Sequence, residues 1–95
     1  MERKLKQAQQ IADKKGLGEL QISLAKDKRF AIRSPSGKLI NFGQFPFSGK
    51  GTFLDHADEK IKEAWRARHS KIMKDGKPAY LNRESPEYYS WNILW

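Results

Sequence analysis

Residues 20–42 read LQISLAKDKRFAIRSPSGKLINF, and this stretch decides the fold. Apolar and polar side chains alternate over residues 20–24 and again over 29–33, as in strands that bury one face. Residues 34–37, SPSG, have proline at the second and glycine at the fourth position of a β-turn. A third short strand is predicted at 39–42. The stretch therefore predicts a small antiparallel meander.

The strongest helical pattern follows this meander, at about residues 55–73. Thr52 and Asp55 have the spacing of a capping box, and acidic residues lie in the first turn. The side chains that share one helical face are Ile61, Ala64, Trp65, Arg68 and Ile72. The sequence Lys74–Pro78 ends the helix, since it contains glycine and proline.

The two ends of the chain also have helical patterns. Residues 2–15 predict a thin amphipathic helix that Gly16 ends, either packed on its own domain or ordered by a partner. Ser85 and Pro86 predict the start of a short aromatic helix. We therefore expect an α+β fold: a three-stranded antiparallel sheet against one main helix, an N-terminal helical extension (1–18) and a single α+β domain (19–95). The expected core contains Ile22, Phe30, Ile32, Ile40, Phe42, Ile61, Trp65, Leu81, Tyr89, Trp91 and Leu94.

Composition limits the class of protein. The chain has 95 residues, with 19 Lys and Arg against 11 Asp and Glu, a net charge of +8, and no cysteine. Disulfides, thiolate zinc sites and cysteine nucleophiles are thereby excluded. No apolar run approaches the length of a membrane span, and the N-terminal residues lack the apolar stretch of a signal peptide. We expect an intracellular protein that has no membrane span and is not secreted.

The basic residues are unevenly distributed and predict a surface for polyanions or for an acidic protein. One cluster lies at residues 26–33 and a larger one at 60–77. A solvated basic face that only keeps the protein in solution is an equal alternative. The candidate contact residues are Arg29, Arg33, Lys50, Lys62, Arg66, Arg68 and Lys71.

Exposed aromatic residues are candidate protein contacts. Phe45 and Phe47 lie in the glycine-rich loop 43–51, and Tyr88 and Trp95 belong to the apolar C-terminal segment. The alternative is that the two Phe side chains fold under the following helix and that the C-terminal segment completes the protein's own core, which a domain of this size needs.

The sequence offers little catalytic chemistry. Residues 48–52, SGKGT, miss the spacing of a phosphate-binding loop because Gly51 separates Lys50 from Thr52. Asp55, His56 and His69 are the remaining candidates, but the two His residues lie 13 positions apart, so they do not meet one ion unaided. We therefore expect a protein that is not an enzyme and needs no metal or cofactor.

Several short segments, taken together, resemble a family of small uncharacterised proteins encoded by large DNA viruses of algae and protists and by some phages. The segments are KRFAI (28–32), SGK (36–38), NFG (41–43), FLDHAD (53–58), RARH (66–69) and, in the last eleven residues, SP, SW and LW. The resemblance covers about the last seventy residues and implies a viral setting without an assigned activity.

The resemblance and the residues together predict a non-enzymatic viral protein that acts in the virion or inside the host cell, in the cytoplasm or nucleus. The leading expectation is a minor virion or capsid-associated component that contacts viral structural proteins. The alternative is sequence-nonspecific binding of DNA or RNA through the basic face. The oligomeric state stays open.

Overall fold

The computed structural model describes residues 4–44 and 51–95. Its regular elements are, in chain order, α1 (Leu5–Lys14), β1 (Leu20–Ile22), β2 (Lys28–Arg33), β3 (Leu39–Gln44), α2 (Phe53–His56), α3 (Glu59–His69), β4 (Met73–Lys74), β5 (Lys77–Pro78) and α4 (Pro86–Tyr89). A 3₁₀ turn, Ala79–Leu81, precedes α4, and a π-helical segment, Ser90–Leu94, follows it. The α+β fold class is confirmed.

The predicted meander is a three-stranded antiparallel sheet in the order β1-β2-β3. Phe30 pairs with Phe42, and Ile32 pairs with Ile40, so these four side chains lie on one face of the sheet. All four are buried, and the two Phe rings lie 6.0 Å apart. The alternation of apolar residues thus sets the register, because a slip of one residue would turn this face to solvent.

The N-terminal helix α1 is part of the same core. Ala8 and Ala12 are fully buried and pack with the sheet residues and with the C-terminal segment. Small side chains at these two positions let the helix approach closely. The helix therefore packs on its own domain, and no partner is needed to order it.

The main helical region is interrupted, which the sequence did not predict. Thr52 and Asp55 form the expected capping box, but the helix that they start, α2, has a single turn. Ala57 has a left-handed backbone (φ 55°), and Asp58 then accepts hydrogen bonds from Lys60 N–H and Ile61 N–H as the N-cap of α3. The predicted helix over 55–73 is therefore two helices, and the second ends at His69.

The C-terminal segment closes the core, as its aromatic content predicts. Ser85 caps α4 by accepting the N–H of Glu87, and Pro86 lies in the first turn. The Tyr89 ring is fully buried 5.8 Å from Phe42, and its hydroxyl donates to the carbonyl of Arg83 at 2.7 Å.

Two of the expected core residues are on the surface. Ile22 is 41% exposed, since it ends the short edge strand β1, and Leu81 is 63% exposed in the 3₁₀ turn. Three others, Ile61, Trp65 and Trp91, are half-buried. The sequence overestimated burial at all five positions; for Ile61 and Trp65 the reason is that α3 buries no residue completely.

Candidate functional site

Arg29 does not belong to the surface. Its side chain is 1% exposed and forms a bidentate ion pair with Asp55, with both N–O distances at 2.9 Å. Asp55 also accepts hydrogen bonds from the backbone N–H and the hydroxyl of Thr52. The expectation that Arg29 contacts an external polyanion is wrong, because its guanidinium is used in joining β2 to α2.

The environment of Asp55 favours its charged form. Burial opposes ionisation, but hydrogen bonds from Arg29 and Thr52 outweigh it, so the pKa of Asp55 is lowered. Gly51 makes room for this carboxylate: its φ is +85°, and a Cβ there would lie 2.8 Å from Asp55 Oδ2. The pair is thus a structural feature that this glycine permits.

Lys62 and Arg66, on α3, both turn toward the body of the protein. The Lys62 ammonium lies 4.5 Å from the centre of the Phe53 ring. Arg66 donates to the carbonyl oxygens of Trp91 (3.4 Å) and Trp95 (3.0 Å) and lies 4.8 Å from the Trp91 ring. The structure therefore separates these two residues from the outward cations of the same helix.

Lys15 joins Lys62 and Arg66, although the sequence gave no signal for it. Its ammonium donates to the carbonyl of Asn92 at 2.6 Å. Burial lowers the pKa of Lys15, and the nearby charges of Arg66 and Lys62 lower it further. Lys15 and Arg66 thus stabilise the carbonyl end of the C-terminal helical segment, where positive charge is favourable.

The outward face of α3 carries a line of cations. Lys60 and Arg68 are exposed and fall within about 80° of the helix surface at 3.6 residues per turn, and the exposed Lys71 follows in the turn after the helix ends at His69. The Cα atoms of Lys60 and Arg68 lie about 12 Å apart along the axis. Ala64 and Ala67, both exposed, lie between them. We call these five residues the cationic stripe.

No carboxylate forms an ion pair with a cation of the cationic stripe among the described residues. Glu63 is exposed one helical turn after Lys60, but its side chain makes no ion pair with it. The stripe therefore presents positive charge and small side chains to solvent.

The remaining predicted contact residues are scattered or not described. Arg33 is exposed at the end of β2, where it donates to the carbonyl of Gly37 at 3.1 Å within the β2–β3 turn. Lys50, Phe45 and Phe47 lie outside the described residues. Of the seven basic candidates, the structure brings Arg68 and Lys71 onto one outward face.

The aromatic residues of the C-terminal segment pack internally. Tyr88 meets the Tyr89 ring edge-on at 5.1 Å and contacts the core. Trp95 stacks almost parallel on Trp65, with ring centres 4.8 Å apart. The half-buried rings of Tyr88 and Trp95 thus complete this protein's own packing, which was the alternative to a partner contact.

Trp65 is the centre of an aromatic layer that attaches α3 to the C-terminal segment. His69 stacks on it with ring centres 3.8 Å apart, and Trp91 lies 5.9 Å away. His69 Nδ1 in turn donates to the Glu87 carboxylate at 2.7 Å. Ring contacts and one charged hydrogen bond therefore hold a helix that has no fully buried residue.

A cavity of about 800 Å³ opens beside this layer. Its aromatic lining is His56, Trp65, His69 and Trp95, and its polar lining includes Arg68, Glu87 and Ser90. Gly43, Gly51 and Lys28 border it on the side of the sheet. Arg68 thus belongs both to the cavity and to the cationic stripe. The sequence missed the cavity because Glu87 and Ser90 are remote from α3 along the chain.

The residues considered for catalysis serve separate contacts. Asp55 pairs with Arg29, His69 pairs with Glu87, and His56 Nδ1 accepts the N–H of Asp58 at 2.9 Å. His56 Nε2 is buried without a hydrogen-bond partner among the described residues. Over residues 4–44 and 51–95, no three His, Asp or Glu side chains are grouped to hold a metal ion.

The fold and this surface define a small basic α+β protein with a cationic helix face beside an aromatic cavity. The chain belongs to a family of unknown function, DUF5754, whose model matches residues 18–69, just over half of the chain. The match includes the sheet, the Arg29–Asp55 pair and all of α3. No curated protein and no solved structure matches the chain. In the described ranges, no helix has the length and apolar character that a bilayer span requires.

Proposed function

We propose that this protein is a non-enzymatic nucleic-acid-binding protein that contacts phosphates through the cationic stripe. The single observation that carries the proposal is the exposed alignment of Lys60, Arg68 and Lys71 with no carboxylate paired to them among the described residues. Cations of this kind release counterions when they meet a phosphate backbone, which drives binding without regard to sequence.

The small residues of the stripe support close approach. Ala64 and Ala67 separate the cations, so no bulky side chain keeps a backbone away from the helix. The distance of about 12 Å from Lys60 to Arg68 along the helix exceeds the separation of successive phosphates along one strand, about 3.4 Å along the axis of a duplex. Several phosphates of one nucleic acid can therefore meet the stripe together.

The net charge adds a long-range attraction. A charge of +8 on 95 residues creates a positive potential that steers polyanions and weakens with salt. This term alone does not distinguish nucleic acid from an acidic protein. The test must therefore distinguish the effect of the cationic stripe on binding from the effect of the total charge.

The experiment compares two triple variants of equal charge. Lys60→Gln, Arg68→Gln and Lys71→Gln remove the stripe, whereas Lys6→Gln, Lys26→Gln and Lys38→Gln remove three exposed cations elsewhere. Fluorescence anisotropy measures the affinity for a labelled 20-mer at low salt. We expect the stripe variant to bind about tenfold more weakly than the control variant. Equal losses in both variants, or no binding by the parent protein, would overturn the proposal.

A protein-contact role is the second candidate, and it is the role that a viral setting favours. Ile72, Met73 and Leu81 are apolar yet 42%, 56% and 63% exposed, next to the basic residues of the β4–β5 hairpin. A minor virion component would use such a surface against an acidic capsid protein. Substituting Met73 and Leu81 by Ser would then reduce virion incorporation and leave nucleic-acid affinity unchanged.

A further inference from the structure

The cavity beside α3 has the composition of a ligand site. Its volume of about 800 Å³ is within the range of small-molecule pockets. Four aromatic side chains line it, and charged or hydroxyl groups lie among them. Aromatic side chains beside a few convergent polar groups can hold a planar ligand.

Some of the polar groups in the cavity have no partner within the described chain. The Arg68 guanidinium forms no ion pair or hydrogen bond there, and the same holds for the Ser90 hydroxyl. His69 uses Nδ1 for Glu87, which leaves Nε2 without a partner. A ligand would thus meet the Arg68 guanidinium, the Ser90 hydroxyl and the second ring nitrogen of His69 beside aromatic rings, with the Glu87 carboxylate also in the lining.

We propose that this cavity binds an unpaired nucleobase, with Arg68 holding the phosphate attached to it. The inference rests on the proposed function and makes it more specific. Arg68 connects the two features, because it lies on the cationic stripe and also lines the cavity. A strand whose phosphates follow the stripe therefore has a base within reach of Trp65, His69 and Trp95.

The geometry favours a single strand over a duplex. Bases in a duplex are stacked and paired, so taking one into the cavity costs unstacking energy, whereas a single strand offers its bases freely. Every base has an aromatic face, so this binding is tolerant of sequence. The protein should therefore prefer single strands with little preference among bases.

The first test uses the parent protein and three nucleic acids of equal length. These are a single-stranded 12-mer, the same strand with abasic sites throughout, and the corresponding duplex. We expect the single strand to bind about five- to a hundredfold more tightly than the abasic strand, which has the same phosphates. Equal affinity for the single strand and the abasic strand would overturn the inference and leave the proposed function intact. Failure of all three to bind would overturn both.

The second test blocks the cavity. Ser90→Phe places a large side chain in the cavity, and Gln10→Phe adds the same bulk on the exposed face of α1 as a control. Circular dichroism first establishes that both variants fold. We expect Ser90→Phe to bind the single strand no better than the abasic strand, while Gln10→Phe keeps the preference. A folded Ser90→Phe variant that keeps the full preference would contradict the proposed cavity. A mononucleotide added as competitor should displace the 12-mer only at high concentration, since it makes one phosphate contact.

Discussion

Replacing Asp55 by Asn should destabilise this protein more than most single substitutions would. Asn keeps the size of the side chain but removes the charge that accepts two hydrogen bonds from Arg29 at 2.9 Å. The Arg29 side chain is 1% exposed and the Asp55 side chain 11%, so water does not replace the lost partner. Removing one member of a buried pair costs about 3–5 kcal/mol.

That loss is large compared with the total stability. At about 0.05–0.15 kcal/mol per residue, a chain of 95 residues has roughly 5–14 kcal/mol of unfolding free energy. Urea denaturation followed by circular dichroism measures the difference, and the slope with urea should not change. Asp75→Asn is the matched control, because Asp75 is exposed in the β4–β5 turn and Asn also accepts its left-handed backbone. A loss below about 1 kcal/mol for Asp55→Asn, or equal losses in both variants, would refute this reasoning.

Further predictions concern stability at low pH, the space beside Gly51, the buried Tyr89 hydroxyl and the N-cap of α4. Because the folded state lowers the pKa of Asp55, its stabilisation is complete above the unfolded pKa of about 4 and is lost as pH falls through the folded value. The free energy of unfolding, measured as the pH is lowered, should show this loss in the parent protein but not in Asp55→Asn. Identical pH profiles for the two proteins would contradict the prediction. Gly51→Ala should lower the melting temperature, since its methyl group would collide with the Asp55 carboxylate and φ at this position is +85°. An unchanged melting temperature would contradict the close contact between Gly51 and Asp55. Tyr89→Phe should cost about 1–2 kcal/mol in urea unfolding because the carbonyl of Arg83 loses its donor, and a neutral result would be unexpected. Ser85→Ala should cost about 1 kcal/mol by the same measurement, since it removes the cap of α4; no loss would show that the cap is dispensable.

The sheet and the helix starts could be predicted from local patterns. Alternation set the register of Phe30 with Phe42, and the turn chemistry of 34–37 set the connection. Thr52 and Ser85 have capping patterns that the structure contains at the expected positions. These features depend on neighbours within a few residues, so a single sequence contains them.

The candidate surface depends on contacts between residues far apart in the sequence, which local patterns do not predict. Arg29 looked like a surface cation, and only the approach of α2 to β2 shows that Asp55 neutralises it. The break at Ala57 rotates α3 relative to the predicted helix, because the second helix starts from its own cap at Asp58. Trp65 stacks on Trp95, thirty residues further along the chain, and this contact orients α3. As a result Arg66 faces the body of the protein and Arg68 faces outward.

The salt dependence of nucleic-acid binding tests the central claim most directly. Three phosphate contacts at Lys60, Arg68 and Lys71 predict that log K for a single strand falls with log salt concentration with a slope of about −2, at about −0.7 for each contact. The triple Gln variant of the cationic stripe should have a much shallower slope than the control triple variant, which keeps most of the parent slope. A parent slope near zero, or an unchanged slope in the stripe variant, would contradict the proposal that α3 holds phosphates.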